Sequence, residues 1–464
     1  MRLQTMALLA CVVLATTAVP AASSAVTLTK TCLTGTDPSV AVDAAQITAV
    51  RGLVELGCPC SAFDGTVGKT HRNYTMCAGS IIAAQAPANL RPQCVRTVKS
   101  FYARSICGVN PALHVQPCIR KSVKTGAVTC GIRPTTKADG ITPNDHFVST
   151  TKATFAGCPT YTHCIDAGDT DGNLRIAAPG DNGSCTPPPA PTVFVVVMEN
   201  RNWSAIHGST SAPYLNGVLL AAGAHAEQYF NPPALHPSEP NYLWLEAGTN
   251  FGVLNDGLPA TNSQGTTAHL VTLLNTAGKG WKSYQEDIGG TNCPLTNVGL
   301  YAPKHNPMVF FQDVTGNNNL SDPYCIAHVR PYTELATDLA AGTVAPYNFI
   351  TPNLCDDGHD TCGPVNDAIL QTDNWLSTEI PRIVQSNAYQ HGGVLIITWD
   401  EGLFSDGPIG LIVLSRHAKA GYSNSIHYTH SSTLRSLQDI LGVSPYLGDA
   451  VNATDLSDLF LTYP

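Results

Sequence analysis

The sequence predicts an α/β protein in which a small disulfide-rich domain precedes a three-layer sheet domain. Three observations support this prediction. Apolar runs rich in β-branched residues alternate with amphipathic helical patterns across residues 192–464. Most of the 16 cysteines lie upstream of residue 186. A proline-rich segment, TPPPAP at 186–191, separates the two parts. We therefore predict a Cys-rich domain at 26–185, a linker at 186–191 and a larger sheet domain at 192–464.

Residues 1–25 are typical of a secretory signal peptide. Arg2 supplies a positive charge, the apolar run ALLACVVLATTAV follows, and small residues end the segment at Ala25. This run is too short to span a bilayer, so we expect cleavage after Ala25 rather than a membrane anchor. The remaining sequence has no apolar stretch of spanning length. The predicted location is therefore secreted, either extracellular or periplasmic, with no transmembrane segment.

The Cys-rich domain carries two helical patterns, DAAQITAVRGLVELG at 43–57 and PQCVRTVKSFYARSIC at 92–107. Its eleven cysteines predict disulfides in an exported chain, with one cysteine left over or paired outside the domain. Zinc is the alternative for Cys58 and Cys60, but a single C-x-C is a poor zinc signature. The four downstream cysteines can pair among themselves, and they are Cys293, Cys325, Cys355 and Cys362. The partner of this domain cannot be predicted.

One local pattern could bind calcium. Asp169, Asp171 and Asn173 alternate in DTDGNLRI, as in the first half of a calcium-binding loop. The glycine falls at the wrong position for such a loop, however, and no glutamate stands at the twelfth position. The alternative is a solvated Asx turn. We expect at most a weak calcium site here.

The sheet domain at 192–464 shows several candidate strands. Continuous apolar runs at 192–198, 392–399 and 408–415 are typical of strands that are buried on both faces of a mostly parallel sheet. Shorter candidates are residues 347–351 and 308–311. Helical patterns at 366–385 and 431–442 lie between or beyond these strands. Strands that alternate with helices predict the three-layer α/β architecture.

Polar side chains follow the two longest candidate strands directly. Glu199 and Asn200 come after the first strand, and Asp400 and Glu401 after the second. The carboxyl ends of parallel strands meet at one edge of a sheet, where ligands bind in α/β proteins. We therefore expect these four residues to hold a divalent cation. Residues 191–464 carry a net charge of −15. This charge excludes binding of nucleic acid by counterion release. It also means that a cation is needed if the substrate is an anion.

Eight further sequence segments carry a family resemblance. In order they are MENRNW, HPSEPNYLWLEAG, SYQED, KHNPMVFF, ITPNLCDDGHD, ITWDEG, THSSTLRSLQDILG and NATDLSDLF. Together they resemble the phosphoesterase family of bacterial acid phosphatases and phospholipases C, within the alkaline phosphatase superfamily. The resemblance covers nearly all of 191–464 and none of 26–190. It implies an alkaline-phosphatase-like fold for the catalytic domain.

The resemblance also implies roles for individual residues. Ser238, shortly before a Pro-Asn pair, matches the family nucleophile. The resemblance also implies that the metal ligands are Ser238, Glu199, Asn200, Asp400 and Glu401. It further implies residues around the transferred phosphoryl group: His305 and His359 as catalytic residues, and Asn241 and His430 as substrate-binding residues.

The expected function is therefore hydrolysis of phosphate esters through a phosphoserine intermediate. After Glu401 the chain lacks the Gly-Gly-Phe-Tyr-Asp-His continuation of the phospholipase C members, which favours the phosphatase-like branch. The alternatives are a phospholipase C-type phosphodiesterase and a non-catalytic surface-binding protein. Oligomeric state and metal identity cannot be predicted.

Overall fold

The computed structural model describes residues 31–137, 144, 147–176, 180–185, 191–403 and 406–463. The predicted signal peptide and all but the last residue of the predicted linker lie outside the described residues. Among the described residues, none of the helices combines the length and the apolar character of a membrane span.

The N-terminal part contains a helical bundle and a small sheet. Its helices and strands are α1 (Asp43–Gly57), α2 (His71–Gln85), α3 (Pro92–Ala103), β1 (Val115–Ser122), β2 (Val128–Pro134), β3 (Ala153–Gly157) and α4 (Cys164–Gly168). The two predicted helical patterns are confirmed as α1 and α3. The three strands form an antiparallel sheet in the order β2-β1-β3, which the sequence did not predict.

Five disulfides hold the N-terminal part together. They are Cys32–Cys94, Cys58–Cys77, Cys60–Cys107, Cys130–Cys164 and Cys158–Cys185. Because Cys58 and Cys60 are both engaged in disulfides, the zinc alternative for this pair is wrong. Cys118 accounts for the odd cysteine and keeps a buried thiol group.

The larger part begins at β4 and alternates strands with helices. Its elements are β4 (Val193–Met198), α5 (Trp203–Ile206), α6 (Leu220–Ala222), β5 (Ala224–Ala226), β6 (Tyr229–Phe230), α7 (Ser238–Ala247), α8 (Pro259–Asn262), α9 (Leu270–Thr276), β7 (Trp281–Gln285), α10 (Gln312–Thr315), α11 (Pro323–His328), β8 (Val329–Pro331), α12 (Thr333–Ala341), β9 (Tyr347–Thr351), α13 (Ala368–Val384), α14 (Asn387–Gln390), β10 (Val394–Trp399), β11 (Leu411–Ser415), β12 (Tyr422–Asn424), β13 (Tyr428–Thr429) and α15 (His430–Leu441).

Eight of these strands form one central sheet, in the order β12-β5-β11-β10-β4-β9-β7-β8. The strands from β10 to β8 run parallel to one another, and β11 runs antiparallel to both neighbours. Each residue of β4, β9, β10 and β11 is buried. Since alternate residues point to opposite faces, both faces of the sheet are covered. The predicted α/β class is confirmed.

One predicted strand is wrong. Residues 308–311 lie in a buried 3₁₀ turn, Pro307–Phe310, that precedes α10. A short apolar run is compatible with a strand or with any other buried segment, so its pattern could not distinguish the two. Pro307 begins the turn and favours its dihedral angles.

The two parts pack directly against each other. Leu56 of α1 belongs to the main hydrophobic core of the larger part. A Cβ atom on Gly52 would lie 2.6 Å from Gln385 Cα, so the glycine allows α1 to approach the end of α13. Buried Asp166 binds Arg51 at 2.5 Å and Arg416 at 2.6 Å, which joins the two parts through an ion-pair network. The domain boundaries themselves stay a prediction.

Candidate active site

The register of two parallel strands creates the centre of the site. Met198 at the end of β4 is paired with Trp399 at the end of β10. Glu199 and Asp400 follow immediately, and both side chains are fully buried. The backbone N–H of Asn200 donates to Asp400 Oδ1 at 3.0 Å, which links the two strand ends. The predicted meeting of these polar residues at one sheet edge is confirmed.

Ser238 lies against this acidic pair. It is the first residue of α7, and its Oγ donates a hydrogen bond to Glu199 Oε2 at 3.0 Å. Tyr242, one turn later on the same helix, donates from its hydroxyl group to Glu199 Oε1 at 2.6 Å. Both oxygens of Glu199 are therefore oriented by α7. Ser238 is only 1% exposed, and its hydroxyl group is held in place among carboxylates.

Four carboxyl groups share the site. Asp357, in the loop after β9, joins Glu199, Asp400 and Glu401, and its carbonyl oxygen accepts from the Glu199 N–H at 2.9 Å. Burial, together with the charges of Asp400 and Asp357, raises the pKa of Glu199 well above its usual value. Burial also raises the pKa of Asp400 to about 6. For Glu401, burial and the Asp400 charge raise the pKa to about 8.

Unpaired polar atoms mark where a cation fits. Asp400 Oδ2, Asp357 Oδ2 and His305 Nε2 are buried and have no hydrogen-bond partner among the described residues. Buried carboxylates that repel one another are costly unless a cation or a proton compensates them. Oxygen donors in this number suit a hard divalent cation. The residues therefore fit the metal site that the sequence predicts, with Asp357 and His305 as additional donors.

His305 lies inside the acidic cluster. Its Nε2 is 3.2 Å from Glu199 Oε1 and its Nδ1 is 3.2 Å from Asp357 Oδ2, although neither contact is aligned as a hydrogen bond. The ring stacks on Tyr242 with centroids 5.3 Å apart. Burial first, and then the charges of Lys304 and His359, lowers the pKa of His305 well below its usual value. The imidazole is thus neutral, which is the form that ligates metals.

His359 occupies a more open position than His305. Its side chain is 28% exposed, and its ring centroid is 5.5 Å from that of His305. Nδ1 contacts Asp360 Oδ1 at 2.8 Å, which leaves Nε2 facing Lys304 Nζ at 3.2 Å. Lys304 also binds Asp256 at 2.9 Å. Burial lowers the Lys304 pKa, but the charges of Glu199 and Asp256 outweigh burial and raise it, so this lysine is a fixed cation beside the site.

Asn241 holds the loop that precedes Ser238. Its Nδ2 donates to Leu235 O at 2.9 Å, to Pro237 O at 3.2 Å and to Glu401 Oε2 at 3.3 Å. The amide therefore connects the loop before Ser238 to one of the predicted metal ligands. These contacts favour a positioning role. The substrate contact that the sequence predicts for Asn241 stays a prediction.

His430 lies beneath the site rather than in it. The residue is fully buried, its Nε2 is 2.6 Å from the backbone carbonyl oxygen of Asp400, and its Nδ1 is 3.0 Å from the hydroxyl oxygen of Tyr229. Burial lowers its pKa to about 4, so the ring is neutral. Both ring nitrogens are occupied by protein atoms. The geometry favours orientation of Asp400, and the predicted substrate contact stays a prediction.

A cleft of about 540 Å³ opens beside Glu401. His236 stands at its wall, where Nδ1 contacts Glu401 Oε2 and Nε2 lies 2.8 Å from Asp406 Oδ1. The other lining residues include Asn200, Ala234, Pro237 and Leu403. Through Asn200 and Glu401, the cleft borders the acidic cluster.

Asp357, Tyr242, Lys304 and His236 were not predicted as site residues. Three of them are sequence neighbours of residues that were: Asp357 precedes His359 by two positions, Lys304 precedes His305, and His236 precedes Ser238 by two positions. Tyr242 follows Ser238 by one helical turn, a spacing that places it on the same side of α7. These spacings make all four residues sequence neighbours of predicted site residues, but they do not specify the contacts that the four make in the fold.

The predicted calcium loop forms a tight turn. Asn173 N–H donates to Asp169 Oδ1 at 3.0 Å and to Asp171 Oδ1 at 3.3 Å, as in the Asx-turn alternative. Asp181 completes a group of three acids with them, and it lies outside the predicted motif. Burial, followed by the hydrogen bond with Asp171, raises the pKa of Asp169 to about 7. Calcium binding here stays a prediction.

Comparison with known proteins decides the family. Residues 212–444 match the profile described as the phosphoesterase family. A phosphatidylinositol-3-phosphatase of Mycobacterium tuberculosis is 34% identical over 272 residues, which is 58% of this chain and 82% of that protein. The chain belongs to the phosphoesterase family. Its enzyme class is accordingly that of the phosphoric ester hydrolases, as the sequence resemblance predicted.

Other relatives of this phosphoesterase are fungal. A phosphate-repressible acid phosphatase of Penicillium chrysogenum is 30% identical over 264 residues, which is 54% of this chain and 58% of that protein. The chain thus spans little more than half the length of this relative.

The structure is also similar to solved structures. A phosphonate monoester hydrolase of Agrobacterium radiobacter and an alkaline phosphatase superfamily protein of Vibrio parahaemolyticus each have a TM-score of 0.41, at 12% and 11% identity. Each match covers 58% of this chain. It covers 77% of the Agrobacterium protein and 72% of the Vibrio protein.

Proposed function

We propose that this phosphoesterase is a secreted, metal-dependent phosphomonoesterase of the acid phosphatase type that acts through a phosphoserine intermediate. The observation that carries the proposal is the hydrogen bond of 3.0 Å from Ser238 Oγ to Glu199 Oε2 within a cluster of buried carboxylates. A serine hydroxyl group is a weak nucleophile unless a base or a metal activates it. This cluster supplies the environment for that activation.

The metal is assigned to Glu199, Asn200, Ser238, Asp400 and Glu401. A divalent cation bound there favours the ionised form of the Ser238 hydroxyl group and offsets the negative charge of the substrate. The unpaired buried oxygens of Asp400 and Asp357 support this assignment. Metal identity is open, because oxygen-rich sites accept several hard cations.

The chemistry proceeds in two displacement steps. Ser238 Oγ attacks phosphorus in line, the bond from phosphorus to the ester oxygen breaks, and a phosphoserine forms. Lys304 compensates negative charge on the phosphoryl oxygens, since electrostatic stabilisation is the main catalytic contribution in phosphoryl transfer. A water molecule then attacks the phosphoserine, which releases inorganic phosphate and regenerates the Ser238 hydroxyl group.

Of the two histidines predicted as catalytic, His359 is the better candidate for the proton donor to the leaving oxygen. The side chain of His359 is 28% exposed, whereas that of His305 is 3% exposed and lies between two carboxylates. A general acid must reach the leaving group directly or through one water molecule. We assign His305 to metal binding, because its Nε2 is buried beside Glu199 without a hydrogen-bond partner among the described residues.

The named relatives support the phosphomonoesterase over the phosphodiesterase alternative. Both relatives described above are named as phosphatases, one for a phosphorylated lipid and one as an acid phosphatase. The substrate panel below distinguishes the phosphomonoesterase from the phospholipase C-type alternative. The charge of the acidic half argues against a nucleic acid partner. Export, and a cleaved signal peptide at residues 1–25, belong to the same proposal and agree with the seven disulfides.

A substrate panel tests the proposal. The purified protein is assayed with p-nitrophenyl phosphate, bis(p-nitrophenyl) phosphate and phosphatidylcholine vesicles, each with and without a chelator. We expect fastest turnover of the monoester, loss of turnover with chelator and recovery on adding back a divalent cation. Preferred cleavage of a diester would favour the phospholipase C-type alternative. The absence of turnover on all three, with metal bound, would favour a non-catalytic protein.

A further inference from the structure

A second group of metal-ligating side chains lies apart from the acidic cluster. His207 directly follows α5, His225 is the middle residue of β5, and Glu227 follows the end of β5. Each offers one ligand atom, and the three atoms lie within 4.8 Å of one another. None of the three belongs to the active site described above. A chain segment of 17 residues separates the two histidines, so the fold brings them together.

The spacing of these atoms suits a shared metal ion. Glu227 Oε1 is 3.1 Å from His225 Nε2, and Glu227 Oε2 is 3.5 Å from His207 Nδ1. Nitrogen and oxygen ligands of a tetrahedral zinc ion, each about 2.0–2.2 Å from the metal, stand about 3.3 Å from one another. These two separations lie on either side of that value, and the third pair, His207 with His225, lies within 4.8 Å.

A rigid neighbour orients the carboxylate. Trp203 Nε1–H donates to Glu227 Oε2 at 2.7 Å. Trp203 is itself held in place. Its backbone N–H donates to Pro408 O at 2.6 Å, and its ring covers Gly410, where a Cβ atom would lie 2.1 Å from the ring. Hydrogen bonds that orient a ligating group are characteristic of metal sites, and they increase metal affinity.

The site is also accessible. The side chain of His207 is 42% exposed, that of Glu227 is 27% exposed and that of His225 is 9% exposed. An ion can therefore enter from solvent on the side of His207, where water molecules complete the coordination. In the described part of the chain, His225 Nδ1 has no hydrogen-bond partner, whereas Glu227 accepts from Trp203. This arrangement favours reversible binding over a permanent structural ion.

We propose that His207, His225 and Glu227 bind one zinc ion. Two imidazoles and one carboxylate form a donor set that zinc prefers, with the remaining position open to water. The ion would tie the end of α5 to β5. Trp203, which packs between these histidines and Trp399 of β10, gives the site an optical reporter.

Zinc titration of the full-length protein tests the proposal. Metal-stripped wild type, His207→Ala and Glu227→Gln are titrated with zinc while bound zinc is counted by native mass spectrometry and tryptophan fluorescence is recorded. The control is His391→Ala, since His391 is an exposed histidine at the end of α14. We expect the wild type and the control to bind one more zinc ion than His207→Ala, and Glu227→Gln to bind that ion at least tenfold more weakly.

Folding is monitored independently by near-ultraviolet circular dichroism, and exposed His207 can be truncated without opening a core cavity. Zinc should also raise the melting temperature of the control more than that of His207→Ala. Equal zinc stoichiometry and affinity in the wild type and in folded His207→Ala would overturn the proposal. Zinc uptake that disappears only when active-site acids are replaced would overturn it as well.

Discussion

Met198 and Trp399 are direct partners on two parallel strands, and the next residue of each strand is a buried carboxylate. The Asp400 N–H donates to Met198 O at 3.0 Å, which continues the pairing one residue beyond β10. The apolar strands thus determine the separation of Glu199 and Asp400. A slip of one residue would move one carboxylate to the opposite face of the sheet.

Removal of two acids should abolish metal binding. In Asp400→Asn combined with Glu401→Gln, the two carboxylate charges are lost while the side-chain shapes are kept. We expect the active-site cation to be absent from the dialysed double variant, as measured by elemental analysis. Glu334→Gln on α12 is the control, because this acid pairs with Arg330 and not with the site. Unchanged metal content in the double variant would refute the assigned ligands.

Replacement of His359 should affect poor leaving groups most. If His359 donates a proton to the leaving oxygen, His359→Gln should lower kcat for an alkyl phosphate by roughly 10²–10⁴-fold. p-Nitrophenolate departs without a proton, so kcat for p-nitrophenyl phosphate should fall much less. His391→Gln serves as the control. An equal loss on both substrates would assign His359 to a role other than proton donation.

The Cys355–Cys362 disulfide encloses the loop that carries His359. Gln371 supports the same loop, since its Nε2 donates to Cys355 O at 2.7 Å and to Asp360 O at 3.1 Å. A ring this small contributes no more than about 2.5 kcal/mol to the free energy of unfolding. If the disulfide positions His359, Cys355→Ser with Cys362→Ser should lower kcat clearly while the melting temperature changes little. Unchanged kcat with a lower melting temperature would identify a purely stabilising bridge.

His269 makes stability depend on pH. Burial lowers its pKa, but hydrogen bonds with Asp313 and Glu246, each at 3.1 Å, outweigh burial and raise the pKa to about 9. Because the folded pKa exceeds the unfolded value of about 6.5, the protonated ring stabilises the fold fully below pH 6.5. This contribution, at most about 3 kcal/mol, is lost as the pH rises through 9.

Chemical unfolding between pH 6 and pH 10 measures this effect. We expect the free energy of unfolding of the wild type to fall across this range more steeply than that of His269→Gln, which cannot be protonated. His391→Gln should follow the wild type. Parallel pH profiles for the wild type and His269→Gln would show that the His269 network does not stabilise the protein through protonation.

Strands made mainly of apolar residues were predictable. β4, β9, β10 and β11 are each buried along their whole length, so a predominantly hydrophobic run identified them. β5 was not predicted, because Ala-His-Ala has no β-branched residue and is a strand only through its pairing with β11 and β12. β7, with the sequence WKSYQ, was missed because its lysine, serine and glutamine interrupt the apolar pattern.

The site residues also divide into those that the sequence could predict and those that it could not. Glu199 and Asp400 were predictable because each ends an apolar strand, and the strand register then brings them together. Asp357 lies six residues beyond β9, and it reaches the cluster through a backbone hydrogen bond from Glu199 and a side-chain contact with His305. His236 contacts Glu401 across 165 residues of sequence. Contacts of this kind depend on tertiary packing, which local sequence patterns do not specify.

The central claim is that Ser238 carries the phosphoryl group during turnover. The most direct measurement is acid quenching of the enzyme during hydrolysis of a phosphomonoester, followed by mass spectrometry of the peptide that contains Ser238. We expect a phosphoryl group on Ser238 in the wild type, and in Ser238→Ala we expect neither phosphorylation nor activity above the assay background. A folded Ser238→Ala protein that retains the wild-type kcat, or turnover with Ser238 unmodified at each quench time, would contradict the account.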